Sequence, residues 1–142
     1  MPRPSPGDTG RAISQENANL QRMAFDALNR RDLDAYLALM DPGVEIVSRF
    51  IGQGGYRGHD GARAWWDDIF RTLPGTTFDL LEVRDLGART LAIFRVVGHG
   101  AGSEPPFAQM AWVTASWRDG RITAWCSHPT ESDALEAVGL RE

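Results

Sequence analysis

The chain has 142 residues, 42% of them hydrophobic, and a net charge of −4, which is the size and composition of one globular domain. Its 15 basic residues are all arginine and are scattered along the chain, so it lacks the clustered positive charge that a nucleic-acid partner needs. No apolar run approaches the roughly 20 residues of a membrane span, and the single Cys126 excludes an internal disulfide and a cysteine metal framework. These features point to a reduced, cytoplasmic setting with no metal and no organic cofactor.

Residues 1–13, rich in proline, glycine and small polar side chains, read as a flexible tail that is no signal peptide. The domain spans 14–142. Ser14 is placed to cap a first helix, whose apolar stripe runs through Leu20, Met23, Ala24, Ala27 and Leu28. After Asn29-Arg30-Arg31, Asp32 caps a short second helix with Leu33, Tyr36, Leu37 and Met40 on one face, stopped by Asp41-Pro42-Gly43. A strand is expected over 44–50, then a glycine-rich loop over 52–58. Asp60 opens a third helix that buries Ala62, Trp65, Trp66, Ile69, Phe70 and Leu73 and ends at Pro74-Gly75.

Four β-branched or aromatic runs follow, at 76–83, 90–97, 107–117 and 121–127. Asp119-Gly120 predicts a tight hairpin between the last two. A short helix over 132–138 stops at Gly139. Helices first and a strand meander afterwards is an α+β order, with the helices on one face of the sheet. The run from Ala108 to Trp117 is apolar on both faces, as is 91–97, with Ile93 and Val97 opposite Phe94 and Val96. A sheet with one wet face alternates more cleanly, so the outer face is expected to be covered, most simply by a second copy in a homodimer.

The stretch LNRRDLDAYLALMDPGVEIV, followed by YRGHDGARAWW, and later WRDGRITAW and ALEAVGL, resembles the nuclear-transport-factor-2-like superfamily, in particular its SnoaL-like branch. The resemblance covers about residues 14–140. It implies a cone-shaped, curved antiparallel sheet wrapped over three N-terminal helices, a cystatin-like α+β barrel enclosing a small-molecule cavity. Relatives of this kind include ketosteroid isomerases, epoxide hydrolases, polyketide cyclases, dehydratases and binding-only proteins, so the fold does not select a function.

Carried over residue by residue, the ketosteroid isomerase pattern puts Ser48 at the position of the carboxylate base. It puts Ala24 at that of the oxyanion tyrosine and Val113 at that of the protonated aspartate. None keeps the chemistry, which disfavours ordinary ketosteroid isomerisation. The last strand, where hydrolase and cyclase relatives carry a carboxylate, ends Trp125-Cys126-Ser127-His128. His128 is the proton carrier there, suited to general acid/base work at the cavity mouth, or else a strand-end histidine leaning outward. Tyr56, in the glycine-rich loop, is placed to donate to a ligand oxygen.

The weaker candidates have bland alternatives. His59 precedes a helix and His99 lies in a flexible connection. Arg95 faces the cavity or pairs with a carboxylate at the sheet edge. Cys126 is expected to be inert, and Asp67-Asp68 to be a solvated helix face. The expected pocket wall is Ser48, Gln109, Ala111, Val113, Trp117, Trp125 and Ser127, largely apolar with neutral polar groups. It suits a small apolar or weakly polar organic ligand. Two functions fit: cofactor-independent proton transfer (isomerisation, cyclisation, dehydration or hydration) with His128 as base and Tyr56 or Gln109 polarising an oxygen, or a non-catalytic small-molecule-binding or dimeric scaffold domain.

Overall fold

The computed structural model describes residues 6–48, 55–98 and 107–139. Three helices and two strands come first: α1 (Pro6–Arg30), α2 (Leu33–Ala38), β1 (Met40–Val47), then β2 (Gly55–Arg57) and α3 (Gly58–Thr72). Four long strands follow, β3 (Thr77–Asp85), β4 (Arg89–Gly98), β5 (Phe107–Arg118) and β6 (Arg121–His128), before α4 (Glu131–Ala137). They form one six-stranded sheet in the order β2-β1-β6-β5-β4-β3. The fold is α+β, as the sequence predicts. The expected sheet is antiparallel throughout, but β1 and β6 run parallel, with Ile46 opposite Trp125 and Val47 opposite Cys126. That pairing joins strands far apart in sequence, so no turn signal announces it.

The start of α1 corrects the expected tail. Helix begins at Pro6, eight residues before Ser14, and proline suits a first helical position because its fixed φ matches the helix and its missing N–H has no partner there. The buried stripe also differs. Ala24, Phe25, Ala27 and Leu28 are buried, whereas Met23 is 55% exposed.

The helix ends in a two-bond cap, Arg31 N–H to Leu28 C=O and Asp32 N–H to Ala27 C=O, with Arg31 at φ 59° where glycine is usual. The arginine side chain offsets that strain. It donates to the carbonyls of Leu28 and Thr76 at 3.0 and 2.6 Å and lies 3.8 Å from the Phe70 ring centroid. Beside it, the Asn29 amide pairs with both the N–H and the C=O of Phe78, at 2.8 and 2.9 Å. These two residues pin the end of α1 to the start of β3.

Asp32 caps α2 as its position predicts, accepting from the Ala35 N–H at 3.1 Å. The strand after α2 starts at Met40 and absorbs Asp41-Pro42-Gly43 as an irregularity between Met40 and Glu45. Part of the expected glycine loop is the edge strand β2, and α3 starts at Gly58 behind Arg57, not at an Asp60 cap. Residues 49–54 and 99–106, including His99, lie outside the described residues. Asp119 (φ 54°) and Gly120 (φ 74°) make the predicted hairpin turn, and α4 is capped by Thr130.

The core lies between the helices and one face of the sheet. Phe70, Phe78, Phe94, Phe25, Trp125, Tyr36 and Trp65 are linked by ring contacts with centroids 4.9 to 6.4 Å apart. Such pairs add about 0.5–1.5 kcal/mol each beyond their burial. On the opposite face, Leu91 and Ile93 of β4 and Trp112 of β5 pack with Ala134 and Leu135 of α4. The apolar outer face seen in the sequence is therefore covered in part by the chain's own last helix.

Candidate functional site

The sheet and helices leave a cavity of about 40 Å³. Alternation along the strands decides who faces it. Phe78 of β3, Phe94 and Val96 of β4, Val113 of β5, and Trp125 and Ser127 of β6 point inward, and Ser48 follows the end of β1. Phe25 and Leu28 of α1 and Trp65 and Ile69 of α3 complete the wall. Val47 pairs with Cys126 in the parallel register, so Ser48 and Ser127, the next residue of each strand, are cross-strand neighbours. They are the only polar residues in the wall among the described residues.

Four of the seven residues expected to line a pocket thus meet at this cavity: Ser48, Val113, Trp125 and Ser127. The other three share the inward parity but sit elsewhere. Ala111 is fully buried in the core. Trp117 lies at the far end of β5, where its indole N–H donates to Thr90 Oγ1 at 2.8 Å. Gln109 is exposed near the start of β5. Of the positions carried over from ketosteroid isomerases, Ser48 and Val113 are in the wall, but on α1 the wall residue is Phe25, next to Ala24.

His128 lies on the other face of the sheet. The alternation that puts Trp125 and Ser127 inside turns Cys126 and His128 outside. There His128 is 4% exposed, and its Nε2 is 3.0 Å from Thr114 Oγ1. The expectation of a base at the cavity mouth is corrected on that ground: two neighbouring residues of one regular strand cannot both face the same cavity.

Tyr56 is not in the wall either. Its phenol donates to Asp68 at 2.7 Å. That bond, with burial and the negative charge of Asp68, raises its pKa above the ordinary value, so the phenol keeps its proton and points it at the carboxylate. Asp68 is correspondingly half-buried, not merely a solvated partner of Asp67.

The remaining candidates are structural. Arg95 pairs with Asp79 across the β3–β4 edge at 3.4 Å. His59 holds the start of α3 to β1 through Nε2, 3.0 Å from the Met40 carbonyl; a carbonyl only accepts, so that nitrogen carries the proton. Among the described residues no three His, Cys, Asp or Glu side chains could hold a metal ion. No described helix is long and apolar enough to cross a membrane.

Sequence reasoning missed Phe25, Leu28, Trp65, Ile69, Phe78, Phe94 and Val96 as wall residues. Their signal was present as apolar periodicity, but periodicity marks a core face and does not mark where that face leaves a gap.

The model of the SnoaL-like domain matches residues 21–125. The chain belongs to the SnoaL-like family. No relative among curated proteins matches it. Solved structures similar to this SnoaL-like domain include TerC co-crystallised with polyporic acid, at 18% identity and a TM-score of 0.72, covering 87% of this chain and 98% of that one. A protein with a ketosteroid isomerase-like fold from Catenulispora acidiphila, in complex with trimethylamine, aligns at 18% identity and TM-score 0.70 over 86% and 93% of the two chains. A SnoaL-like protein of unknown function from Burkholderia thailandensis aligns at 21% identity and TM-score 0.66 over 82% and 96%. At these identities the likeness is one of fold, and the chemistry of this SnoaL-like domain rests on its own wall.

Proposed function

We propose that this SnoaL-like domain binds a small, uncharged, largely apolar organic molecule, with the hydroxyls of Ser48 and Ser127 orienting one polar group of the ligand. The wall carries this reading: of eleven described residues, nine are apolar or aromatic and two are serines. Such a wall favours apolar surface and penalises an unpaired charge heavily. Proton transfer, the other reading open to the sequence, needs a titrating group at the reacting atoms, and the described wall presents none.

Trp65 and Trp125 stand in the wall and report occupancy by fluorescence. Titration with neutral aromatics such as phenol and benzyl alcohol is expected to give a saturable change. Ser127→Ala should weaken binding by roughly 2–10-fold, the value of one neutral hydrogen bond. His128→Ala, on the far face, should leave affinity unchanged. Absence of saturable binding across such a panel would refute the reading. A bell-shaped pH–rate profile abolished by His128→Ala would restore proton transfer in its place.

We also propose that two copies pair through the strip of outer sheet face beyond α4, around Val97, Ala108 and Met110. Met110 is 38% exposed, an apolar side chain on an otherwise two-sided apolar strand. Sedimentation velocity should show a dimer that Met110→Glu converts to monomer. A wild-type protein that stays monomeric at micromolar concentration rules the pairing out.

A further inference from the structure

Gln21 is fully buried on α1, and neither its Nε2 nor its Oε1 meets a hydrogen-bond partner among the described residues. A primary amide has two donors and two acceptor lone pairs, and buried polar groups in native proteins are nearly always paired. Its place on α1 is informative. Residues 21, 25 and 28 lie on one stripe of the helix, and Phe25 and Leu28 are the two α1 side chains in the cavity wall.

Helical side chains lean toward the N-terminus, a direction that tilts Phe25 toward the turn that carries Gln21. The Phe25 ring is wedged between Phe94 and Trp125, with centroids 4.9 and 5.6 Å away. The cavity beyond it, about 40 Å³, has room for roughly three waters, far less than the ~150 Å³ of a cavity known to take benzene. An organic ligand therefore fits wholly inside only if a wall side chain withdraws.

We propose that Gln21 is the polar recognition group of the ligand site, screened by Phe25 when the site is closed. The ligand turns the Phe25 ring aside. Its apolar body takes the ring's place between Phe94 and Trp125, and a carboxamide or lactam edge, donor beside acceptor, pairs with the Gln21 amide. This inference rests on the reading of the cavity as a ligand site.

Benzamide and toluene are the probes, titrated into the wild type, Gln21→Met, Phe25→Ala and the double variant. Gln21→Met is expected to weaken benzamide at least tenfold, in the wild-type or the Phe25→Ala background, while toluene changes less than twofold. Binding confined to Phe25→Ala, with that same dependence on Gln21, supports the role and its screening. Equal loss of both probes, or no loss of benzamide, overturns the assignment of Gln21 and leaves the cavity reading standing. Failure of both probes in every variant overturns the cavity reading and the inference with it. Thermal unfolding of the ligand-free proteins gives a second readout. Gln21→Met should raise Tm by about 2–5 °C, because the methionine needs no partner. A lowered Tm means that the amide is already satisfied in the fold, and removes it from recognition.

Discussion

Trp125→Ala is expected to destabilise the fold by about 3–5 kcal/mol, the cost of emptying a large aromatic site in a core that relaxes only partly. Trp125 is 2% exposed in the middle of β6. Its ring is shared by three elements: 5.6 Å from Phe25 of α1, 5.7 Å from Tyr36 of α2 and 6.4 Å from Trp65 of α3. No other ring among the described residues joins all three helices to the sheet, so nothing nearby can collapse into the space without dragging a helix with it. Urea unfolding at pH 7 measures the loss as a shift in midpoint at unchanged slope. A cost below 1 kcal/mol would mean that the helices close over the gap and that the aromatic cluster is less rigid than its geometry implies. Trp125→Phe should recover part of the loss, since a smaller ring keeps some of the contacts.

Tyr36→Phe is expected to do the opposite, and its effect should grow with pH. The Tyr36 side chain is fully buried against Trp65, Trp66 and Trp125, and its hydroxyl meets no hydrogen-bond partner among the described residues. Removing that hydroxyl should stabilise the protein by about 1 kcal/mol at neutral pH.

Burial also raises the Tyr36 pKa well above the ordinary value, because the phenolate cannot be solvated there. The unfolded phenol ionises above about pH 10, while the folded one keeps its proton. The unfolded state then binds fewer protons than the folded state, so stability falls as pH rises, by about 1.4 kcal/mol per pH unit from this group. The contribution is fully present below pH ~10 and is lost as pH climbs toward the folded pKa. Denaturation at pH 7, 10 and 11 should show the gap between Tyr36→Phe and wild type widening above pH 10. Tyr56, raised in the same direction by Asp68, is common to both proteins and drops out of the difference. Parallel profiles would show that Tyr36 reaches water in the folded state.

Tyr56 and His128, expected at the cavity, stand elsewhere for local reasons. Tyr56, expected in a loop and free to meet a ligand, is set by the strand β2 against α3, where its phenol donates to Asp68. His128 is the more instructive case. Its residue type suggested chemistry, while the period-2 rule that placed Ser127 inside already placed His128 outside. Strand parity outweighed residue type. The wall residue on α1 went astray by a similar margin: the stripe drawn through Met23 misses Phe25, and the helix buries Phe25 instead.

What the sequence determined alone was local and periodic. It contained the helix caps at Asp32, the Asp119-Gly120 hairpin, the aromatic face of α3, the four long strands and the family pattern that orders them. Each rests on spacing between near neighbours, which the backbone's own geometry converts into structure. The tertiary structure decided what depends on contacts between distant segments. The parallel joining of β1 to β6 brings Ser48 beside Ser127. The docking of α4 covers part of the outer face. The packing of α1 leaves a gap beside Phe25 and buries the Gln21 amide. A cavity is a mismatch between packed surfaces, and no single segment of sequence encodes a mismatch, because it exists only once all its walls are in place.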